Sequence, residues 1–295
     1  MQSLFSAYLL PFSLSVIMVG MGLSLERQDF TNIIRYPRSI FVGVISQIIV
    51  LPVITFLIFY FTHLDPLIKV GFILITACAG GSATNIITHM LRGNLALSIS
   101  LTALNSFLIL ISLPVIVKIA LIVFVGESQN IELSIIDTVL NILLTIIIPT
   151  FIGMWVRHNF PTFAQKSQKP LRIILPLILF SVFAIMLIID DENSSKTTSH
   201  YLFLIPWALL LNFISMFVVY IFSRLMKLNI KKSMTISVEV GLKNSIVGIF
   251  VAETLLKNHE IAMVSVIYGS ITFFSTLLFG FLEKRIELLS FRFRN

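Results

Sequence analysis

Long apolar runs, each near the roughly 20 residues that cross a bilayer as a helix, recur nine times along the chain. They lie at Leu4–Leu25, Ser39–Phe61, Leu67–Leu91, Leu95–Phe124, Leu133–Val156, Leu171–Ile189, Tyr201–Phe222, Ser233–Leu256 and Ile261–Leu282. Short segments carrying Arg, Lys, Asp, Asn or Pro separate them. Apolar runs of this length bounded by charge predict nine transmembrane helices. The first run has no basic segment before it and no small-x-small cleavage site after it, and is read as a true span rather than a signal peptide.

Composition agrees. Of 295 residues 57% are apolar and 12% charged, against about 25% charged in a soluble domain, and the mean hydropathy is +0.99. A single soluble core cannot absorb that much apolar surface, so an all-α polytopic membrane protein is the class that fits. The net charge of +7 then reflects basic loops on one side of a membrane rather than a nucleic-acid surface. Arg27, Arg35, Arg38, Arg92, Arg157, Lys166, Lys169, Arg172, Arg224, Lys227, Lys231, Lys232, Lys284, Arg285, Arg292 and Arg294 fall in every second loop and the tail. Only Lys69, Lys118, Lys196 and Lys257 fall in the others. Sixteen against four predicts an outside amino terminus, a cytoplasmic carboxyl terminus and a cell inner (plasma) membrane location. The lone Cys78 excludes a disulfide framework, and its apolar setting suits a small core residue.

Two spans break the pattern. The third reads Thr76-Ala-Cys-Ala-Gly-Gly-Ser-Ala-Thr-Asn85 at its middle, and the eighth reads Ser237-Val-Glu-Val-Gly-Leu-Lys-Asn-Ser245. Glycine weakens a helix by about 1 kcal/mol relative to Ala, and polar side chains at the same depth can take up the backbone groups that a break frees. Small-residue stretches also serve close helix packing, an alternative that stays open for the third span. In the eighth, Glu239 and Lys243 each cost about 2.5–3.5 kcal/mol at bilayer depth. Such residues mark an ion or substrate pathway, or form a structural pair at their i,i+4 spacing. The order of the spans has spans one to four and five to nine as inverted units, each with one interrupted helix. That arrangement points to a secondary transporter with its site where the breaks meet.

At these residues the chain resembles the bile acid:sodium symporter family, within the bile/arsenite/riboflavin transporter superfamily. The resemblance rests on Gly20-Met-Gly-Leu-Ser-Leu25, on Gly80-Gly-Ser-Ala-Thr-Asn85 with Arg92-Gly-Asn-Leu-Ala-Leu-Ser98, and on Glu239-Val-Gly-Leu-Lys-Asn-Ser245. It implies two crossed broken helices in a core domain packed on a panel domain. Residues 1–38 would hold the first panel helix and a cytoplasmic loop, and 39–126 the first half of the core, broken near 78–85. Residues 127–198 would hold the other panel helices, and 199–295 the second half of the core, broken near 239–245, and the tail. The resemblance implies one sodium site at Thr84, Asn85, Ser98, Thr102 and Glu239. A second would use Glu239, Gln47, the backbone of Val240 and Leu242, and the position of Lys243. Lys243 departs from the family's Gln there. An ammonium has donors only, so that site is degenerate, with Lys243 as a tethered cation in place of a second sodium. Cys78-Ala-Gly-Gly81 departs as well, lacking the family's proline before the glycines.

Ser82, Ala83, Asn244 and Ser245 match positions that line the family's substrate cavity, and helix amino termini suit anions. The expected cargo is a small organic anion, carboxylate or sulfated, coupled to Na+ by alternating access. No organic cofactor and no nucleic acid are expected, and a monomer in the lipid bilayer suffices. His89 suits packing, an interface or, less readily, a proton relay. The rival readings are a proton-coupled antiporter, an arsenite-type carrier using Cys78, and a non-transporting receptor. An enzyme is not expected, because there is no His-Glu-x-x-His and the five histidines are scattered.

Overall fold

A computed structural model describes residues 5–126, 134–193 and 198–292, and all regular structure among them is helical. In chain order the helices are α1 (Leu10–Gly22), α2 (Arg27–Arg35), α3 (Pro37–Tyr60), α4 (Pro66–Ala77), α5 (Ser82–Met90) and α6 (Leu95–Ala120). They continue with α7 (Ile135–Asn159), α8 (Pro161–Asn193), α9 (Leu204–Leu225), α10 (Ile230–Gly241), α11 (Ser245–Phe250) and α12 (His259–Arg292).

Among the described residues six helices are long and apolar enough to cross a membrane, and up to eight spans result if two bent pairs are each taken as one. That count is lower than the nine predicted spans, and the differences have physical reasons. The third is divided into α4 and α5, of 12 and 9 residues, and neither is long enough alone. The first ends in a 70° bend into α2, a charged helix where a loop was expected, opened by a reciprocal capping box between Glu26 and Asp29. The sixth starts at Pro161 rather than Leu171 and bends by 47° between its Pro161–Leu171 and Ile173–Ile188 parts, where Pro170 removes a ladder donor. The helical backbone of α12 also runs on to Arg292, into the predicted tail.

Around a buried apolar core, large apolar side chains also face outward and polar ones also lie inside. Phe41, Ile111, Leu144, Phe151, Phe180 and Phe274 are exposed, whereas Thr84, Ser98, Asn212, Ser215, Glu239 and Thr276 are buried. The stretch Ile230–Leu255, which carries Glu239 and Lys243, is 94% buried over its span window, against 33% for Ile135–Asn159. Its polar side chains therefore face protein rather than lipid.

Helices α1, α7 and α8 pack on one another, and α4, α6, α9, α10 and α12 form a second group. The α1–α7 contact is close because both sides are glycine. A Cβ on Gly22 would stand 3.0 Å from the Cα of Gly153, and one on Gly153 2.9 Å from the Cα of Gly22. Gly22→Leu is expected to cost about 1–3 kcal/mol or more, read as a lower unfolding midpoint in detergent. An unchanged midpoint would mean that the helices do not meet there.

The loops that the charge count places together also meet. Glu26 pairs with Arg157 and Arg27 bonds His158 at 2.9 Å. The Asn94 N–H donates to Thr235 at 2.9 Å, and the Lys232 ammonium lies 5.0 Å from the Tyr36 ring centre. Lys69, from the other set, lies over Phe124 at 5.5 Å.

Candidate functional site

The two interruptions lie where the sequence places them. Helix α4, capped by Asp65 and begun at Pro66, ends at Ala77. Cys78 turns extended (φ −65°, ψ 146°), and α5 begins at Ser82. The break forms without a proline. Helix α10 ends at Gly241, Leu242 is extended (φ −104°, ψ 128°) and α11 begins at Ser245. In an unbroken helix the Asn244 N–H would reach the Val240 carbonyl; here it donates to the Ala79 carbonyl at 2.9 Å, joining one break to the other. The Gly241 carbonyl, also released, accepts from Asn212 Nδ2 at 2.7 Å and from the Tyr268 hydroxyl at 3.2 Å.

Glu239 sits on the last turn of α10, fully buried. Its Oε1 accepts from the Thr102 hydroxyl at 2.7 Å and its Oε2 from Ser98 at 3.3 Å, two side chains one turn apart on α6. Thr84 Oγ1 lies 3.2 Å from Thr102 Oγ1 and donates to the Gly81 carbonyl at 2.8 Å. A Cβ on Gly80 would stand 2.5 Å from Glu239 Oε1, so only glycine lets the first break approach the carboxylate this closely. Asn85 Oδ1 is buried and has no hydrogen-bond partner. Four of the five residues of the first expected site thus form one contiguous network. The fifth, Asn85, follows Thr84 on α5 and brings an unused acceptor. The set offers hydroxyl, amide and carboxylate oxygens with no sulfur or imidazole, which suits a hard cation.

Of the second expected site, Gln47 and Lys243 meet, with Nζ donating to Oε1 at 3.3 Å. Val240 is the penultimate residue of α10 and Leu242 the first of the break. The i,i+4 pairing of Glu239 with Lys243 within one helix does not form. The helix stops between them, and no ion pair within 4.0 Å joins them among the described residues. Gln47 is carried by a π turn, Ser46–Val50, whose wider ladder takes up the missing N–H of Pro52 downstream.

Among the expected substrate residues, Ala83 is half-buried against the cluster of Ile87, Leu91, Met234, Val238 and Leu242, and Asn244 is half-buried in the break. Ser245 is buried against Gly269 of α12. The side chain of Ser82 lies outside the described residues. Cys78 is buried and donates to the Leu74 carbonyl at 3.3 Å, a core position as anticipated. His89 is exposed on the last turn of α5, which suits an interface rather than core packing.

The sequence reading missed three contributors. Thr88 donates to Ser98 at 3.3 Å and extends the hydroxyl network; its signal was the i,i+4 spacing from Thr84. Asn212 and Tyr268 hold the second break, and an Asn amid the apolar residues of span seven could have pointed to it.

A family profile described as "Sodium Bile acid symporter family" matches residues 11–197, over half of the chain. The chain belongs to the sodium bile acid symporter family. It is 29% identical over 244 residues to an uncharacterised sodium-dependent transporter of Bacillus subtilis, covering 82% of this chain and 73% of that one. A chloroplastic "probable sodium/metabolite cotransporter" of Arabidopsis thaliana is 29% identical over 241 residues, 81% of this chain and 57% of that one. The ileal sodium/bile acid cotransporter of Homo sapiens is 31% identical over 160 residues, 54% of this chain and 44% of that one. The chain thus spans about half the length of the plant and human relatives. The sodium bile acid symporter family is one of transporters, not enzymes.

Proposed function

We propose that the protein is a sodium-coupled secondary transporter of a small organic anion. The observation that carries the proposal is the Glu239 carboxylate, buried among the hydroxyls of Thr84, Ser98 and Thr102 where two broken helices are tied together. Sodium dependence in the names of the relatives supports the coupling ion. Sodium would bind at Thr84, Asn85, Ser98, Thr102 and Glu239. In doing so it would turn hydroxyls that now donate to the carboxylate into oxygen ligands. Lys243 would hold a fixed positive charge at the degenerate second position through Gln47, so one sodium suffices. The anion would approach the amino-terminal ends of α5 and α11 at Ser82, Ala83, Asn244 and Ser245, where the helix dipoles favour negative charge.

In this reading the chain crosses the inner (plasma) membrane nine times as an inverted repeat. The α1, α7 and α8 group (residues 1–38 and 127–198) forms the panel, and residues 39–126 and 199–295 form the core. Alternating access comes from movement of one group against the other. The amino terminus faces outward, an orientation that the meeting of the basic loops supports.

The test is uptake of radiolabelled carboxylates and sulfates into proteoliposomes under imposed sodium or proton gradients. Sodium-driven uptake is expected. Uptake driven by protons alone would favour the antiporter reading, and stabilisation by anions without uptake would favour a receptor. In wild type the dependence on sodium should have a Hill slope of about one. Lys243→Gln, which restores an amide oxygen, should raise it toward about two. A steep two-ion dependence in wild type would remove the tethered-cation assignment.

A further inference from the structure

Thr84, Thr102 and Glu239 each have a hydroxyl one helical turn away on their own helix. On α5 it is Thr88, four residues after Thr84; on α6 it is Ser98, four before Thr102; on α10 it is Thr235, four before Glu239. Residues at this spacing share a helix face, and one turn rises about 5.4 Å. Helix α5 runs down to the loop Arg92–Asn94, α6 starts from that loop, and the Asn94 N–H bonds Thr235 near the start of α10. All three steps therefore lead the same way, from the carboxylate toward the loop.

The lower hydroxyls are joined as well as aligned. Thr88 donates to Ser98 and Ser98 to Glu239 Oε2, both at 3.3 Å, so a chain of oxygens descends from the carboxylate. Thr235 Oγ1 and Thr88 Cγ2 converge on Gly93, 2.8 and 2.9 Å from where a Cβ would stand. Thr88, Ser98 and Thr235 are fully buried, yet the loop just below them is half-buried at Gly93 and Asn94 and exposed at Arg92. Main-chain bonds pin this thin floor. The Gly93 N–H donates to the Thr88 carbonyl and the Asn94 N–H to the Thr235 hydroxyl, both at 2.9 Å.

Helix packing would account for one such hydroxyl. Three at one level, each in register with a member of the level above, give a departing cation oxygen ligands one step further on without a charge to retain it. A hydroxyl oxygen has two acceptor lone pairs, so Thr235 keeps one beyond the Asn94 bond. Resting on the sodium-transport reading, we infer that Thr88, Ser98 and Thr235 form a second, uncharged tier through which sodium passes between Glu239 and the cytoplasmic face. The Asn94–Thr235 hydrogen bond closes the tier.

The test follows radiolabelled sodium on the purified full chain in lipid nanodiscs, at equilibrium and after rapid mixing or dilution. Thr88→Val and Thr235→Val each remove one oxygen and keep the side-chain shape, and either suffices where the other fails to fold. Each should slow both association and dissociation of sodium by about fivefold or more. The half-saturation should stay within about twofold, because a group on the route changes the barrier in both directions alike. Thr88→Ser lacks the methyl group but keeps the oxygen, and should exchange sodium at the wild-type rate. Wild-type rates in the valine variants overturn the tier. So does a weakened half-saturation with unchanged association, which would make these residues ligands of the first site. Slow exchange in Thr88→Ser, matching Thr88→Val, overturns it in favour of packing. No saturable sodium binding in wild type removes the sodium reading and the tier together, whereas normal binding with unaltered rates in the variants removes the tier alone.

Discussion

Glu239→Gln is expected to reduce sodium-driven uptake by about 100-fold or more and to abolish stabilisation of the purified protein by sodium. The amide keeps the shape of the side chain but removes its charge, and the effect is large because the group is fully buried. Thr102 and Ser98 now donate to both carboxylate oxygens, so an amide nitrogen would require one of those hydroxyls to turn and accept instead. Loss of the anion removes the main attraction for a cation in a low-dielectric setting. Sodium-dependent thermal stabilisation measured alongside uptake separates this from misfolding. A Glu239→Gln protein that sodium still stabilises would show that the cation binds elsewhere.

Gly80→Ala should have nearly as large an effect. The added methyl would lie 2.5 Å from Glu239 Oε1, 3.2 Å from its carboxyl carbon and 3.3 Å from Thr84 Cγ2. Something must move, and both neighbours belong to the network. Overpacking a close-fitted interior costs about 1–3 kcal/mol. If the carboxylate swings away, it loses the Thr102 bond. The expected result is a sodium affinity lower by about tenfold or more with maximal uptake at saturating sodium less affected, read from uptake against sodium concentration. Unchanged affinity would mean that the approach of Gly80 to Glu239 is not maintained in the membrane. Gly81→Ala is the control, since nothing lies within 4 Å of a Cβ there.

Both breaks were legible because they combine two independent signals: glycine, which weakens a helix, and polar side chains at a depth where they are costly. The clustering of Thr84, Ser98, Thr102 and Glu239 followed from the family resemblance, and the i,i+4 spacing on α6 agreed with it. Periodicity failed where the helix itself ended. Glu239 and Lys243 look like neighbours at helical spacing, yet the chain leaves the helix at Gly241 and Lys243 reaches Gln47 on another span. The Ser46–Val50 π turn leaves no mark in a hydropathy pattern, because it adds one backbone step without changing side-chain character. Thr88 escaped notice for a related reason. A threonine in a membrane helix is usually satisfied by its own backbone, and the spacing from Thr84 gains weight only once the fold places Thr88 against Ser98. The helix at Arg27–Arg35 was hidden by its charges, which mark a loop in a count of apolar runs but also suit a helix lying outside the hydrocarbon.

The hydrogen bond from the Asn244 amide to the Ala79 carbonyl uses main-chain atoms on both sides. Such a splice is invisible to alanine scanning, since no side chain carries it. It would also persist through sequence drift at either position, with proline at 244 as the exception. Two halves of a molecule can thus stay fastened at their hub while the surrounding residues are retailored for a different cargo.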